Sequence, residues 1–475
     1  MQTSLVSLFQ KFPFEVNSPV PDIPVSGLVI DSRSVKPGDV FVALVGGSAD
    51  GHKYIPDAIE RGAGAVIGSQ RIEGLPVPYV RVADTRQVLS YLAAGYYGFP
   101  AHHLTMIGVT GTDGKTTTTN LLYQILKAAG LRVGMISTVN AVIGDHVLDT
   151  GFHVTTPDAH DVQRYLAEMV RAGLTHVVLE TTSHGLAQFR VDACEYDVGV
   201  VTNITHEHLN EHKTYDSYRA AKGRLFSLLT EHEVKPHHPP RAAVLNRDDA
   251  SFRYLDEITS APVITYGVKE HGDIWAEDII STESQLRFTA VGDGFRQPVI
   301  THMTGDYNVS NCLAAVAAAV LGLGIDPKTA AEGIAALEGI PGRMELIDLG
   351  QSFTAIVDFA HTPNALRCVL ASVRSMTKGR VIAIFGSAGL RDKEKRRMMA
   401  EAAAEMADIS ILTAEDPRTE SLAGILAEMA AGAVLKGGVE EKTFWRIPDR
   451  GEALRFAAAI AKPGDLVIAC GKGHE

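Results

Sequence analysis

The sequence predicts an α/β protein of three domains, and three observations lead there. The chain has 475 residues, about three times the ~150-residue prior for one domain, so several cores are expected. Short β-rich runs alternate with amphipathic helical patterns along most of the length, as in sheets covered on both faces. One strand-to-helix junction, Gly111-Thr112-Asp113-Gly114-Lys115-Thr116, has the glycine turn and lysine of a phosphate-binding loop.

Residues 27–45 alternate apolar runs with Asp, Ser, Pro and Gly and read as strand, turn, strand; YIPDAIERGAGAVIG then reads as helix and strand. A small α/β domain over 1–98 is expected. The second unit opens at LTMIGVTGTDGKTTTTNLLYQILKAAG, where an apolar strand enters a glycine turn and a helix with Leu121, Leu122, Ile125 and Leu126 on one face. With HVVLE, DVGVVTN and AAVLN as further strands, residues 99–338 form a parallel-sheet domain like that of P-loop ATPases. After GIPGRMEL, the runs FTAIVDF, RVIAIFG, DISILTA and DLVIAC predict a Rossmann-like α/β domain over 339–475. His237 and His238 fall in a proline-broken loop and read as solvated turn residues. The chain stops at GKGHE immediately after a strand, which predicts a C-terminal tail beyond it.

Composition narrows the partners. Lys and Arg number 44 against 56 Asp and Glu, a net charge of −12, which repels phosphate polymers and anionic membranes. Apolar residues at 45% and charged residues at 21% describe an ordinary globular chain. Cys194, Cys312, Cys368 and Cys470 are scattered, fitting neither a zinc ribbon nor a disulfide framework. CLAAVAAAVLGLGI is too short to cross a bilayer, and no secretory signal opens the chain. A cytoplasmic protein is expected.

The strict G-x-x-x-x-G-K-[ST] pattern fails at Val109, yet the strand, turn and helix frame is that of a phosphate site. Lys115 would meet the terminal phosphates and the Thr116 hydroxyl a magnesium ion. Glu180 ends an apolar strand, at the carboxyl edge where open α/β sheets bind ligands, and so reads as a metal ligand. His206, Glu207 and His208 follow another strand as candidate ligands; the same three also read as a solvated polar loop. In SYRAAKGRLFSLL, Tyr218, Lys222, Leu225, Phe226 and Leu229 share one helix face, so Lys222 points inward. Such a lysine either snorkels to water or is a functional group whose charge is altered or paired.

The series GTDGKTT, TTPDA, ETTSHGL, TNITHEHLN, YRAAKGRLF, GDYNVSN, PGRME, VDFAHTPNAL, GLRDKEKR and GKGHE resembles the Mur ligases over nearly the whole chain. These are ATP-dependent enzymes that add amino acids to the peptidoglycan precursor. ETTSHGL, AHTPNAL and GKGHE look like the versions in members that add the third amino acid to UDP-N-acetylmuramoyl-L-alanyl-D-glutamate. The resemblance implies a carbon–nitrogen ligase that converts ATP to ADP and phosphate through an acyl-phosphate intermediate, acting as a monomer with magnesium.

Carried over residue by residue, Gly111, Thr112, Asp113, Gly114, Lys115, Thr116 and Thr117 would cradle ATP, with Asn308, Asn311, Arg343, Asp358 and His361 completing its site. Lys115, Glu180, His208 and Lys222 would be the catalytic set. Thr116, Glu180 and His208 would hold magnesium, together with Lys222 as a carbamate, a modification that turns an ammonium into an anion. Ser32, Arg33, Gly47, Ser48 and Ala49 resemble the uridine diphosphate site. Thr155, Thr156, Thr182, Ser183, Gln188 and Arg190 resemble the muramoyl-dipeptide site, where an arginine suits a carboxylate. Arg391, Asp416, Arg418, Gly471 and Glu475 match the residues that read the incoming amino acid.

Four positions depart from the family pattern. Glu207-His208-Leu209-Asn210 stands where Asp-His-Leu-Asp is common, Phe359 replaces a tyrosine, and Ser387-Ala388-Gly389-Leu390 is less glycine-rich than usual. Glu415-Asp416-Pro417-Arg418 stands where members that add meso-diaminopimelate have Asp-Asn-Pro-Arg. Arg418 suits a distal carboxylate and Asp416 a free ammonium, so meso-diaminopimelate and L-lysine or L-ornithine all stay open. Two other readings are a related amide ligase, such as a folylpolyglutamate synthetase, and a nucleotide-binding partner protein that kept the fold and lost turnover. The Asp31-Ser32-Arg33 and Asp50-Gly51-His52 segments argue against the folate enzyme.

Overall fold

The computed structural model describes residues 3–46, 50–148, 155–205, 214–282, 285–390 and 392–473. Three sheets organise these residues. The first has four parallel strands, Leu28–Val29, Val40–Val42, Ala65–Gly68 and Tyr79–Arg81. Leu92 and Val88 of the helix Thr85–Tyr96 pack with Val40, Val42, Ile67 and Val80 of those strands.

The second sheet has eleven strands. At its centre Thr105–Thr110 lies between His176–Glu180 and Val198–Val201, all parallel. The helix Lys115–Ala128 covers one face through Leu121, Leu122, Ile125 and Leu126, the stripe expected from periodicity. The opposite face receives the helix Tyr215–Leu228, whose Tyr218, Leu225 and Phe226 join a separate core with Leu179 and Val201. The run CLAAVAAAVLGLGI continues a helix, Tyr307–Val316, into a π-helical turn over Ala317–Gly322 and is buried against the phosphate-loop helix. No helix among the described residues is long and apolar enough to cross a membrane.

Antiparallel strands extend both sides of this parallel centre, a feature the sequence reading did not anticipate. Ile274–Ser281, Leu286–Gly292 and Phe295–Thr301 form a meander on one side, and Ala141–Ile143 with His146–Leu148 a hairpin on the other. The third sheet orders Glu345–Ile347, Thr354–Asp358, Leu466–Cys470, Val381–Phe385, Ile409–Leu412 and Phe444–Arg446, with only the first pair antiparallel.

A buried ion pair closes the base of the second sheet. Lys235, in the loop that contains the exposed His237 and His238, donates to Asp197 Oδ2 at 2.6 Å and to the Leu104 carbonyl at 2.8 Å. Asp197 Oδ2 also accepts the Met106 amide at 2.7 Å, and both charged side chains are 0% exposed. Burial pushes the Asp197 carboxyl up and the Lys235 ammonium down, and each partner opposes the other's shift. Removing one member strands the other without compensation. Asp197→Asn or Lys235→Met is therefore expected to destabilise the domain by about 3–5 kcal/mol, seen as a lowered urea midpoint; an unchanged midpoint would contradict it.

Candidate active site

Strands Thr105–Thr110, His176–Glu180 and Val198–Val201 run parallel and in register, so the segments that follow them emerge at one edge of the sheet. The phosphate loop, Glu180 and Thr202-Asn203 meet there. Gly111 has φ +150°, and a Cβ built on it would lie 1.8 Å from Thr202 Oγ1. Only glycine allows that approach. Thr202 Oγ1 donates to the Asp113 carbonyl at 2.6 Å, while Asn203 Oδ1 accepts the Asp113 amide at 3.0 Å and the Asn203 carbonyl accepts the Thr112 amide at 2.7 Å. Gly114 has φ +81° and leads into the helix Lys115–Ala128, whose first turn lines a cavity of about 420 Å³. Helix first turns leave N–H groups without intrahelical partners, which favours an anion there.

Glu180 is 1% exposed and held from two directions. Thr116 donates to its Oε1 at 3.0 Å, and Thr138 donates through its hydroxyl to Oε1 at 2.9 Å and through its amide to Oε2 at 3.0 Å. Carboxylate and hydroxyl oxygens are the hard donors that suit magnesium, so the pair fits that ion. Among the described residues no three His, Cys, Asp or Glu side chains converge as a metal cage. Lys115 Nζ donates to the Thr112 carbonyl at 2.8 Å. Lys222 is 1% exposed, donates to the Gly111 carbonyl at 2.6 Å and lies 4.6 Å from the centre of the Tyr218 ring. The inward lysine of the helical stripe thus sits directly behind the phosphate loop.

The third domain supplies the opposite wall. Arg343 Nη2 donates to Thr116 Oγ1 at 3.0 Å and the guanidinium lies over Phe359, 4.5 Å from the ring centre. Asn364 Nδ2 donates to Asp113 Oδ2 at 3.1 Å. Asp358 accepts the Met344 amide at 2.8 Å and the Ala360 amide at 2.7 Å; burial pushes its carboxyl up, against the pull of Arg343 and those amides. Burial, then the neighbouring Lys395 and Arg343 cations, hold the His361 imidazole well below its ordinary range, so it is neutral near pH 7. Asn308 and Asn311 line the same cavity, joined by a 2.8 Å hydrogen bond.

Thr155, Thr182 and Ser183 also line the cavity, so the muramoyl-dipeptide candidates continue from the nucleotide candidates. Thr156 bridges the Glu180 carbonyl and the Thr182 hydroxyl, each at 3.0 Å. The planar fork of Arg190, expected to grip a substrate carboxylate, here donates to the Thr156 carbonyl and to Gln188 Oε1, both at 2.8 Å, and its Nε lies 3.3 Å from Asp158 Oδ1 of the same segment. It braces that segment. Ser32 and Arg33 lie apart from the cavity, in a turn capped by Asp31, which pairs with Arg33 and is lowered to about 2 by it. Asp416 and Arg418 are bonded to each other, and a Cβ at Gly471 would lie 3.7 Å from the Glu415 carboxylate. Gly47, Ser48, Ala49, His206, Glu207, His208, Asn210, Arg391 and Glu475 lie outside the described residues.

Thr138, Asn203, Tyr218 and Asn364 were not singled out as site residues from the sequence. Thr138 and Asn203 follow strands as Glu180 does, so the strand-end rule could have found them. Tyr218, whose hydroxyl lies 3.1 Å from Thr112 Oγ1, was read only as part of an apolar stripe. No local signal marks Asn364.

Comparison with known proteins identifies the family. The Mur ligase middle domain matches residues 109–319, the glutamate ligase domain of Mur ligases residues 342–473, and the Mur ligase family catalytic domain residues 24–97. The chain is an ATP-dependent amide ligase by class. It belongs to the Mur ligase family. A UDP-N-acetylmuramoyl-L-alanyl-D-glutamate–2,6-diaminopimelate ligase of Geobacillus thermodenitrificans is 42% identical over 455 residues, 96% of this chain and 91% of its own. A UDP-N-acetylmuramyl-tripeptide synthetase of Roseiflexus sp. is 44% identical over 459 residues, 95% of this chain and 90% of its own. A solved UDP-N-acetylmuramoyl-L-alanyl-D-glutamate–2,6-diaminopimelate ligase superposes with a TM-score of 0.70 at 31% identity, covering 100% of this chain and 94% of that one.

Gly111→Ala forces the new methyl into Thr202 and the backbone out of its φ region. ATP affinity is expected to fall about tenfold or more, measured by calorimetric titration. An alanine variant that binds ATP like the parent would show that the close approach is dispensable.

Proposed function

We propose that this ligase adds meso-diaminopimelate to UDP-N-acetylmuramoyl-L-alanyl-D-glutamate, converting ATP to ADP and phosphate, as the third-residue step of peptidoglycan synthesis. The observation that carries the reading is one cavity lined together by Lys115, Thr116 and Glu180, by Thr155 and Ser183, and by Arg343 and His361 from the third domain. The relatives' substrates support the choice of acceptor. Asp416 and Arg418 support diaminopimelate, because paired side by side they offer opposite charges to the zwitterionic distal end of that amino acid. Lysine and ornithine present an ammonium alone.

In the proposed mechanism the dipeptide carboxylate attacks the γ-phosphate, and the amine of the incoming amino acid then attacks the acyl phosphate and expels phosphate. Two anions meet in the first step, so charge neutralisation and positioning dominate. Lys115, the first residue of the helix Lys115–Ala128, meets the terminal phosphates, and Arg343 joins it from the third domain. Asn308 and Asn311 contribute to the nucleotide site along with Asp358 and the neutral His361. Thr155, Thr156, Thr182, Ser183, Gln188 and Arg190 hold the muramoyl-dipeptide, while Ser32, Arg33 and the 47–49 loop take the uridine diphosphate. Thr116 and Glu180 would hold a magnesium ion, and His208 with carbamylated Lys222 a second; such ions would supply positive charge against the approaching anions. Arg391, Gly471 and Glu475 join Asp416 and Arg418 in reading the amino acid.

Domain boundaries after residues 98 and 338 belong to the same reading, supported by three separate sheets. So does action as a cytoplasmic monomer without nucleic-acid or membrane partners; the net charge of −12 supports the last of these, since it repels phosphate polymers and anionic membranes.

Phosphate release measured with UDP-muramoyl-dipeptide is expected to respond to meso-diaminopimelate about tenfold better than to lysine or ornithine. Better stimulation by lysine would reassign the amino acid, and no response to any of the three would remove the ligase reading. Enzyme equilibrated with ¹³C-bicarbonate is expected to show a carbamate carbon resonance that Lys222→Ala lacks. A spectrum without that resonance would leave Lys222 a plain ammonium.

A further inference from the structure

The third domain buries an arginine that the proposed chemistry does not use. Arg396, on the helix Lys393–Met406, has a side chain 0% exposed. Its guanidinium grips Glu420 through both terminal nitrogens, at 2.8 and 2.7 Å, and also donates to Glu428 at 2.8 Å and to the Ala388 carbonyl at 3.4 Å. Glu420 Oε2 in turn accepts the Leu390 amide at 2.8 Å. One buried cation therefore ties together the loop after Val381–Phe385 and the loop after Ile409–Leu412. These are neighbouring parallel strands, so both loops leave the carboxyl edge of the sheet, where ligands of open α/β folds bind.

The two loops are joined at a second point. The Gly389 amide donates to the Asp416 carbonyl at 2.8 Å, and a Cβ at Gly389 would lie 2.0 Å from the Pro417 carbonyl oxygen. Leu390 at φ +53° and Arg418 at φ +52° both hold left-handed conformations, which L-residues keep only where the surroundings impose them. The Arg396 side chain is 0% exposed while those of Glu420 and Glu428 are 21% and 41% exposed. Taking such a cation out of water costs desolvation that the pairing must offset, so the cluster is a poor route to stability. Arg396 Nε moreover has no hydrogen-bond partner among the described residues. What the arrangement does provide is a fixed geometry for the loop that carries Asp416 and Arg418.

We propose that Arg396 and Glu420 are positioning residues for the incoming amino acid, locking the 386–390 and 413–420 loops in the one register that presents Asp416 and Arg418 to it. The proposal rests on the ligase reading above. Its test is the set of three Michaelis constants for Glu420→Gln and Arg396→Lys.

The KM for the amino acid is expected to rise about tenfold, because a site loosened by an ångström loses its binding geometry, while those for ATP and UDP-muramoyl-dipeptide stay within about twofold. Lysine retains the charge of arginine but not its bidentate fork, so Arg396→Lys follows the same pattern. If Arg396→Lys does not fold, Glu420→Gln carries the test, since it leaves the guanidinium its bonds to Glu428 and Ala388. An unchanged KM for the amino acid, or a rise shared by all three substrates, overturns the assignment. Parent enzyme without amino-acid-dependent phosphate release would instead sink the ligase reading itself.

Discussion

The site depends on one close approach, of the Gly111 backbone to the Thr202 side chain. Where the loop after Thr105–Thr110 passes the end of Val198–Val201, Gly111 comes so near Thr202 that nothing larger than hydrogen fits. That contact sets the path of the loop, Asn203 then fixes the Thr112 and Asp113 amides, and the helix that starts at Lys115 is aimed at the cavity. Glu180 belongs to the same construction, since the strand that bears it pairs in register with the strand that leads into the loop. Nucleotide chemistry here follows from sheet register, with the side chains as its terminal elements.

The third domain acts on this floor through few but well-placed groups. Arg343 reaches the Thr116 hydroxyl that also donates to Glu180, and Asn364 reaches Asp113. The loops beyond them, at 386–390 and 413–420, lie on the carboxyl edge of the same third sheet as Asp358. In the proposed reading, nucleotide and amino acid would be met by one sheet edge, letting a rigid scaffold orient two substrates toward a third on the central domain.

Much of this was legible in the chain. The phosphate loop announced itself by glycine and lysine between an apolar strand and an amphipathic helix, and Lys222 by its place in a stripe whose other members are buried. Helix periodicity is a strong signal because many side chains report it at once. Single polar residues after strands, such as Thr138 and Asn203, have no such repetition behind them. The meander over 274–301 escaped notice because much of its first strand is exposed and the sequence lacks an apolar run there; the strands Glu345–Ile347 and Phe444–Arg446 are too short to show a period. The sequence points to Arg190 as a candidate, but its engagement with Thr156 and Gln188 depends on a loop path that spacing does not reveal.

The hydrogen bond from Lys222 to the Gly111 carbonyl has a chemical corollary. A carbamate keeps one hydrogen on nitrogen, so adding carbon dioxide to that amine would preserve a donor for the glycine carbonyl while reversing the sign of the side chain. With Lys222 carbamylated as proposed, the loop's anchor and the electrostatic character of its neighbourhood would be set independently at a single atom, and dissolved gas would be the reagent that tunes one without disturbing the other.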